Sequence, residues 1–203
     1  MSVAIINYEL GNLRSVQNAI EFIGKEAFIA QSPMDLQNAS HIILPGVGAF
    51  GEGIDILNKQ GWSDAIKEHA LNKAKPFLGI CLGMQLLAKA GTENGDHSGL
   101  GLIDGIVNKL ETNDKSIHVP HIGWNHVTAK SGSKMYRESK GADYYFVHSY
   151  VLKPTNEDII SGTCHHGQDF VASIESENIW GAQFHPEKSQ KAGLQLLTNF
   201  LKV

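Results

Sequence analysis

Short apolar runs alternate with stretches of helical spacing in the first part of the chain. Four runs have the length and apolar character of buried strands, at residues 3–6, 27–30, 41–44 and 77–80. Between the first two runs, apolar side chains recur as on one face of a helix, at Leu13, Val16, Ile20 and Ile23. This alternation predicts a parallel sheet covered by helices, whose ligands bind beyond the carboxyl ends of the strands.

The second part of the chain has short β-like segments that follow one another without long helices between them. Residues 91–101 are rich in Gly, Asp, Asn and Ser and are expected to form a loop. The β-like segments lie at 106–110, 117–119, 124–127, 144–152, 159–164, 170–174 and 179–184. Their close spacing predicts antiparallel hairpins. The expected fold is α/β: one domain over residues 1–203, with a mixed, largely parallel sheet flanked by helices and antiparallel strands added in the second half.

Two helices are expected around the run at 77–80. Trp62, Ile66 and Ala70 suit an amphipathic helix before this run, with His69 on its solvent side. From Met84 onward the residues are strong helix formers, which predicts a second helix directly after the strand.

The composition of the chain limits the classes of function that are expected. The chain has 203 residues, of which 42% are hydrophobic and 19% charged, as in an ordinary soluble protein. Its net charge of −4 comes without a block of like charges, so we expect neither a nucleic-acid nor a membrane partner. Two cysteines do not make a disulfide framework, and no targeting segment is recognisable at the N-terminus. We therefore expect a cytoplasmic protein that acts on a small substrate.

A cysteine stands where the strand at 77–80 must turn into the following helix. Gly79 and Gly83 flank Cys81 in the pattern G-x-C-x-G. In the G-x-S-x-G elbow of hydrolases, such glycines allow the sharp turn that presents a nucleophile. The N–H groups at the start of the next helix would favour a thiolate there. A buried structural cysteine between two packing glycines is the alternative interpretation.

A glycine-rich loop at 45–51 follows the strand at 41–44 and contains the string G-x-G-x-x-G. A dinucleotide site is rejected, because it needs a second strand ending in an acidic residue about 20 positions on, and the sequence near Leu71 is helix-like. At the carboxyl end of a strand, such a loop can instead direct a backbone N–H at an oxyanion. The N–H of Leu82 would be its partner. A flexible turn is the other interpretation.

The last predicted strand leads into His185-Pro186-Glu187. In extended backbone, residues two apart point to the same side, so the Glu187 carboxylate can orient the His185 imidazole. Alone, this motif favours an exposed turn with a surface glutamate. Together with the elbow and the glycine loop it supplies nucleophile, base, orienter and oxyanion donors. Ser189 is then expected to cap a final helix whose apolar face carries Leu194, Leu197 and Leu201.

The remaining polar motifs have structural interpretations. Asn12 is a plausible N-cap of the first helix. The Cys-His-His sequence at 164–166 lacks further cysteines or histidines at ligand spacing, which favours a strand end over a zinc site. Interface or core positions are expected for His118, His121 and His126.

These motifs resemble the class I, triad-type glutamine amidotransferases over nearly the whole chain, which implies their flavodoxin-like fold. The stretches that carry this class are 44–50, similar to the oxyanion strand, 79–85, similar to the elbow, and 184–189, similar to the end of the triad. Other stretches are most similar to the glutaminase subunits of imidazole glycerol phosphate synthases, at 11–15, 120–125 and 145–150.

The resemblance implies a reaction and a role for each matched residue. Cys81 would attack the carboxamide of glutamine, His185 would take and return the proton, and Glu187 would hold the imidazole. Ammonia would leave, and water would hydrolyse the glutamyl thioester to glutamate. The implied oxyanion donors are Val47, Gly48 and Leu82. The implied glutamine-binding residues are Gly48, Gln85, Glu93, Ser149 and Tyr150.

The resemblance also implies a partner. A cyclase subunit with a TIM-barrel fold would form a heterodimer with this chain and use the ammonia to make imidazole glycerol phosphate and aminoimidazole carboxamide ribotide. The implied interface residues are Asn12, Arg14 and Trp124. A tryptophan suits an interface anchor, and core packing is its alternative. Neither a cofactor nor a metal is implied.

Three other functions share parts of this pattern. A paralogous glutaminase that feeds a different synthase, such as one of surface-sugar biosynthesis, would carry the same triad. A stand-alone cysteine peptidase or amidase of similar fold would also need a nucleophile, base and oxyanion donors. A non-catalytic interaction module descended from an amidotransferase is disfavoured because the triad is complete.

Overall fold

The structure, a computed structural model, describes residues 2–112, 114, 116–137 and 139–203. Its strands are, in chain order, β1 (Ser2–Ile6), β2 (Glu26–Ala30), β3 (His41–Leu44), β4 (Phe77–Ile80), β5 (Ala88–Gly91), β6 (His97–Ser98), β7 (Ile103–Lys109), β8 (His121–Ala129), β9 (Gly141–His148), β10 (Tyr150–Pro154), β11 (Ile160–His165), β12 (Asp169–Ser176) and β13 (Ile179–Ala182). Its α-helices are α1 (Leu13–Phe22), α2 (Phe50–Lys59), α3 (Trp62–Lys67), α4 (Leu82–Leu86) and α5 (Gln190–Phe200). Shorter 3₁₀ or π-helical turns lie at Pro33–Asn38, Glu68–Asn72, Glu157–Ile159 and Pro186–Lys188.

Within the described residues, nine strands form one mixed sheet in the order β2-β1-β3-β4-β13-β12-β11-β8-β9. The first five of these are parallel to one another, and the rest continue the sheet through antiparallel pairs. The mixed α/β fold with antiparallel strands in the second half is thus confirmed. Because β3, β4 and β13 are adjacent and parallel, the segments that follow them meet at one edge of the sheet.

Alternate residues of the parallel strands supply two cores, one on each side of the sheet. Val3 and Ile5 lie in the core that includes side chains of α1 and α5, whereas Ala4 and Ile6 lie in the core that includes α2 and α3. Each fully buried Val or Ile side chain contributes about 1.5–3 kcal/mol to stability. Burial on both faces explains why these strands are continuous apolar runs in the sequence.

Two predicted strands differ in the structure. Residues 117–119 do not form a strand, and the segment 144–152 is two strands interrupted at Ser149. The interruption moves the chain from one core to the other, since Phe146 packs in the core with α5 and Leu152 in the core with α2. A continuous apolar run in the sequence does not reveal such a change of sheet.

A second sheet was not predicted. Its described strands number four, in the order β10-β7-β5-β6. The short strand β6 lies inside the stretch 91–101 that was expected to be a loop, and it pairs with β5 in antiparallel register.

The helix expected from Met84 onward is short, because β5 begins where the helix was predicted to continue. Backbone N–H groups of a later segment donate hydrogen bonds to the carbonyls at the end of α4. Leu100 N–H donates to the Leu86 carbonyl and Leu102 N–H to the Leu87 carbonyl, both at 2.9 Å. Tertiary hydrogen bonds therefore override the helix propensity of this stretch.

His69 was expected on the solvent side of its helix, and this prediction is wrong, since the residue is only 4% exposed. The helix changes to π-type hydrogen bonding over Glu68–Asn72. A π-type turn carries more residues per turn than an α-helix and so rotates the following side chains relative to an α-helical projection. Both His69 and Ala70 face inward as a result.

Candidate active site

A cavity of about 270 Å³ opens at the edge of the sheet where the segments after β3, β4 and β13 meet. It contains the residues predicted as nucleophile, base, oxyanion donors and substrate ligands, namely Val47, Gly48, Cys81, Leu82, Gln85, Glu93, Ser149, Tyr150 and His185. Residues from five separate segments of the sequence are thereby brought together. Glu187 lies behind His185 rather than in the cavity wall.

Cys81 forms the sharp turn between β4 and α4. Its backbone has φ +53° and ψ −111°, outside the regions that most side chains adopt. A Cβ on Gly79 would lie 2.6 Å from the Gly83 carbonyl oxygen, and a Cβ on Gly83 would collide with the Leu44 carbonyl oxygen. Both flanking positions therefore require glycine, as the elbow pattern predicted.

The base and its orienting carboxylate are in direct contact. His185 Nδ1 lies 2.8 Å from Glu187 Oε1, and their side chains are 4% and 2% exposed. The backbone that leads from His185 to Glu187 forms a 3₁₀ turn, whereas an extended conformation was expected. Ser189 stands at the N-cap position of α5, but its hydroxyl donates to the His185 carbonyl at 2.6 Å and accepts from Tyr145 N–H at 3.0 Å instead of capping the helix.

The imidazole and the cysteine line the same cavity. Burial by itself lowers the pKa of His185, but its interactions with Cys81 and with Glu187 raise that pKa above its ordinary value. The protonated imidazole that would form when the thiol gives up its proton is thus favoured by its neighbours. The predicted nucleophile, base and orienter lie together, as a Cys-His-Glu triad requires.

The glycine-rich loop lies beside the nucleophile, but one predicted donor is already bonded. Leu82 N–H donates to the Gly46 carbonyl at 3.3 Å. Val47 and Gly48 are exposed on the rim of the cavity, and Gly48 has φ +110°. A rotation of the peptide between Gly46 and Val47 would release the Leu82 N–H and turn the Val47 N–H to the opposite side.

The predicted substrate ligands are held by the surrounding backbone. Glu93 Oε2 accepts from Phe50 N–H at 2.8 Å, at the start of α2. The Gln85 amide Nε2 donates to the Tyr150 carbonyl at 3.0 Å and to Gln183 Oε1 at 3.1 Å. These bonds fix the side chains of both predicted ligands at the cavity wall.

Sequence reasoning missed two buried polar residues of this site. His148 lines the cavity, and Gln183 is fully buried with Nε2 3.9 Å from Cys81 Sγ. A signal was available for Gln183, since an amide side chain inside the apolar run 179–184 is costly unless it has a partner. For His148 the sequence offers no comparable signal.

His148 of the cavity wall and His121 form a buried pair of histidines. His121 Nδ1 lies 3.0 Å from His148 Nε2, and Asn125 Nδ2 lies 3.2 Å from His121 Nε2. Burial lowers the pKa of His121 to about 4 and that of His148 to about 3, so both rings are neutral near neutral pH. Of the three histidines given interface or core positions, His121 lies in the core, and His126 is exposed and pairs with Asp143 at 2.8 Å.

The predicted interface residues are on the surface. The Asn12 side chain caps α1 by accepting from Ser15 N–H at 3.3 Å, and Arg14 is exposed on the same helix. Trp124 is 50% exposed on β8. With its cross-strand neighbours it forms a surface patch, called here the hairpin patch, made of exposed Ile122, Trp124 and Val147 and half-buried Tyr145.

A metal site and a membrane-spanning helix are both absent from the described part of the chain. No group of three or more His, Cys, Asp or Glu side chains there could hold a metal ion. The described helices include none that is both long and apolar enough to cross a membrane.

Comparison with known proteins places this geometry in a family. A family model described as glutamine amidotransferase class-I matches residues 6–203. Imidazole glycerol phosphate synthase subunit HisH 1 of Campylobacter jejuni (strain RM1221) is 45% identical over 202 residues, which cover 99% of this chain and 100% of that protein. The Arabidopsis thaliana protein named imidazole glycerol phosphate synthase hisHF, chloroplastic, is 43% identical over 98% of this chain, which spans 34% of that protein.

The fold has solved counterparts. The structure of PurLQS from Thermotoga maritima matches with a TM-score of 0.77 over 99% of this chain and 97% of that chain. The two sequences are 18% identical, so this match shows a similar fold only. The chain belongs to the class I glutamine amidotransferase family, among the HisH subunits of imidazole glycerol phosphate synthase.

Proposed function

We propose that this chain hydrolyses L-glutamine to glutamate and ammonia through a thioester on Cys81, with His185 as base and Glu187 as its orienter. The observation that carries the proposal is the buried, hydrogen-bonded pair of His185 and Glu187 at the wall of the cavity that Cys81 also lines. The family to which the chain belongs supports the same reaction.

The first chemical step is a proton transfer followed by attack. Glu187 Oε1 accepts the Nδ1–H of His185, which leaves Nε2 to take the proton from the Cys81 thiol. The sulfur then attacks the side-chain carbonyl carbon of glutamine, and the carbon–nitrogen bond breaks as His185 returns its proton to the departing ammonia. Water activated by the same imidazole hydrolyses the thioester.

The tetrahedral oxyanion needs N–H donors, and Val47, Gly48 and Leu82 are proposed for that role. The Leu82 N–H is bonded to the Gly46 carbonyl at 3.3 Å, so it has to be released before it can serve. Loss of one oxyanion donor typically lowers kcat by about 10²–10³-fold. We therefore infer that the isolated chain is slow and that a partner speeds it by rotating the Gly46–Val47 peptide.

Glutamine is proposed to bind with its head group against Glu93, Gln85, Ser149, Tyr150 and Gly48. The cavity of about 270 Å³ suits a ligand of this size. The Glu93 carboxylate offers a negative charge to the α-ammonium group of the amino acid. Its anchoring by Phe50 N–H keeps that charge in place.

The hairpin patch is proposed as the docking surface for a cyclase subunit, and Asn12 and Arg14 are proposed as further interface residues. Val147 belongs both to this patch and to the cavity lining, and its carbonyl lies 3.6 Å from Cys81 Sγ. A partner seated on the patch would therefore cover the mouth of the cavity. Ammonia would pass to a TIM-barrel cyclase without entering bulk water, and there yield imidazole glycerol phosphate and aminoimidazole carboxamide ribotide.

We further propose that residues 1–203 act as one amidotransferase domain in the cytoplasm. The family match over residues 6–203 supports one functional unit. Cys81 and Cys164, both buried and unpaired with each other, suit a reducing compartment.

The decisive experiment measures glutamate release by the purified chain with and without a HisF-type cyclase and its nucleotide ligand. We expect slow hydrolysis alone, a large rise with the loaded cyclase, and none in Cys81→Ala. Stimulation only by the synthase of another pathway would indicate a paralogue. Peptide hydrolysis without any response to a cyclase would contradict the proposal in favour of a peptidase.

A further inference from the structure

Gln183 is a fully buried polar side chain that contacts the nucleophile. Its side-chain Nε2 lies 3.9 Å from Cys81 Sγ, and the residue is 0% exposed. Its backbone N–H donates to the Ala172 carbonyl at 2.8 Å, which fixes the position of the residue just beyond β13. Burying an amide is costly unless its polar atoms have partners, so its contacts define what it can do.

The surrounding hydrogen bonds determine which way the Gln183 amide points. The Tyr150 carbonyl can only accept, so the Gln85 atom that faces it at 3.0 Å must be the NH₂ group. The same NH₂ group lies 3.1 Å from Gln183, which must therefore present its oxygen there. The remaining end of the Gln183 amide, its NH₂ group, faces the sulfur.

The sulfur consequently has one acceptor and one donor beside it, in addition to His185. The Val147 carbonyl, 3.6 Å away, can accept a hydrogen bond from the thiol but offers nothing to a thiolate. The Gln183 N–H can donate to a thiolate, and hydrogen bonds to a charged acceptor are about twice as strong as neutral ones. The balance between thiol and thiolate therefore depends on Gln183.

We propose that Gln183 donates a hydrogen bond to the Cys81 thiolate and stabilises the nucleophile after its proton has moved to His185 Nε2. The inference rests on the proposed function only for the use of the thiolate in catalysis. The donor role itself belongs to the free protein and requires no substrate. Gln85, which is proposed to bind glutamine, orients Gln183 through its own amide.

The test compares Gln183→Met and Gln183→Glu in a Cys164→Ala background, so that Cys81 is the one thiol left in the chain. The measurement is the pH dependence of Cys81 alkylation by iodoacetamide, an uncharged reagent that reacts with thiolates. We expect both variants to react about tenfold more slowly near neutral pH, with the midpoint of the profile about one pH unit higher. Gln37→Met, an exposed substitution of the same type, should leave the profile unchanged.

Gln183→Met separates donation to the sulfur from orientation of Gln85. The carboxylate of Gln183→Glu keeps an oxygen toward the Gln85 NH₂ group and replaces the N–H donor facing the sulfur by an acceptor. If Gln183 only positions Gln85, Gln183→Met raises the KM for glutamine and keeps the wild-type alkylation midpoint, whereas the charge of Gln183→Glu raises that midpoint in either case. An unchanged midpoint in Gln183→Met therefore overturns the proposal.

A different experimental result would refute the proposed function. Undiminished glutamine hydrolysis in Cys81→Ala would refute the thioester mechanism whatever the alkylation profiles are. Loss of hydrolysis in Cys81→Ala together with unchanged profiles in the Gln183 variants would refute only the donor role.

Discussion

The backbone strain at Cys81 can be measured separately from the chemistry of its thiol by comparing Cys81→Ala with Cys81→Gly. The residue has φ +53° and ψ −111°, and a non-glycine residue in a sparsely populated region costs about 1–3 kcal/mol. Glycine removes that cost but loses about 0.8 kcal/mol of methyl burial and about 0.4–1 kcal/mol through the entropy of the unfolded chain. Cys81→Gly should therefore be about 0.5 kcal/mol more stable than Cys81→Ala.

A matched control gives the expected cost of the same change without strain. Ala4 is fully buried in β1 and does not have a positive φ, so Ala4→Gly should destabilise the protein by about 1.5 kcal/mol. Urea unfolding followed by circular dichroism gives both free-energy differences. The two alanine-to-glycine changes should differ by about 2 kcal/mol in favour of position 81. Equal destabilisation at both positions would refute the idea that the elbow is strained.

Further predictions concern the triad, the docking surface and the buried histidines. Glu187→Ala should retain more glutaminase activity than Cys81→Ala or His185→Ala, since a base without its orienter can still act; equal and complete loss in kcat assays of all three would contradict this division of roles. The Trp124→Ala variant should need about 30-fold more cyclase for half-maximal stimulation, because an interface anchor contributes about 2 kcal/mol. An unchanged titration curve would argue against the hairpin patch as the docking surface. Burial lowers the pKa of His148 from its ordinary value of 6.5 to about 3. Below pH 6.5 the His148 imidazole is therefore protonated in the unfolded chain but not in the folded chain. The free energy of unfolding consequently decreases as the pH falls. Between pH 6.5 and 4, the free energy of unfolding of the wild type should decrease by up to about 1.4 kcal/mol per pH unit more than that of His148→Gln. If urea unfolding gives the same pH dependence for both proteins, the pKa of His148 is not lowered by burial.

Several features of the site were predictable because they depend on neighbours in the sequence. The elbow needs small residues two positions from the nucleophile, and the structure places Gly79 and Gly83 so close to other backbone that no side chain fits. His185 and Glu187 are two residues apart, so their contact requires only a local turn. The buried parallel strands were predictable for the same reason, since a strand covered on both faces is a continuous apolar run.

Other features could not be obtained from local patterns. The hydrogen bond from Leu82 N–H to the Gly46 carbonyl joins two loops, and it decides whether an oxyanion donor is available. The contact of Gln183 with Cys81 joins positions 102 residues apart. His69 was misplaced because a π-type turn changes which residues of the helix face inward.

The sequence by itself predicted which side chain is proposed to attack and which to accept the proton, and it determined the type of sheet that carries them. Each of these depends on residue type and on spacing over a few positions, where backbone geometry is nearly fixed. Only the tertiary structure decided the second sheet, the end of α4 at Leu86 and the donors around the sulfur. These depend on hydrogen bonds between distant segments, whose formation is governed by how the whole chain packs.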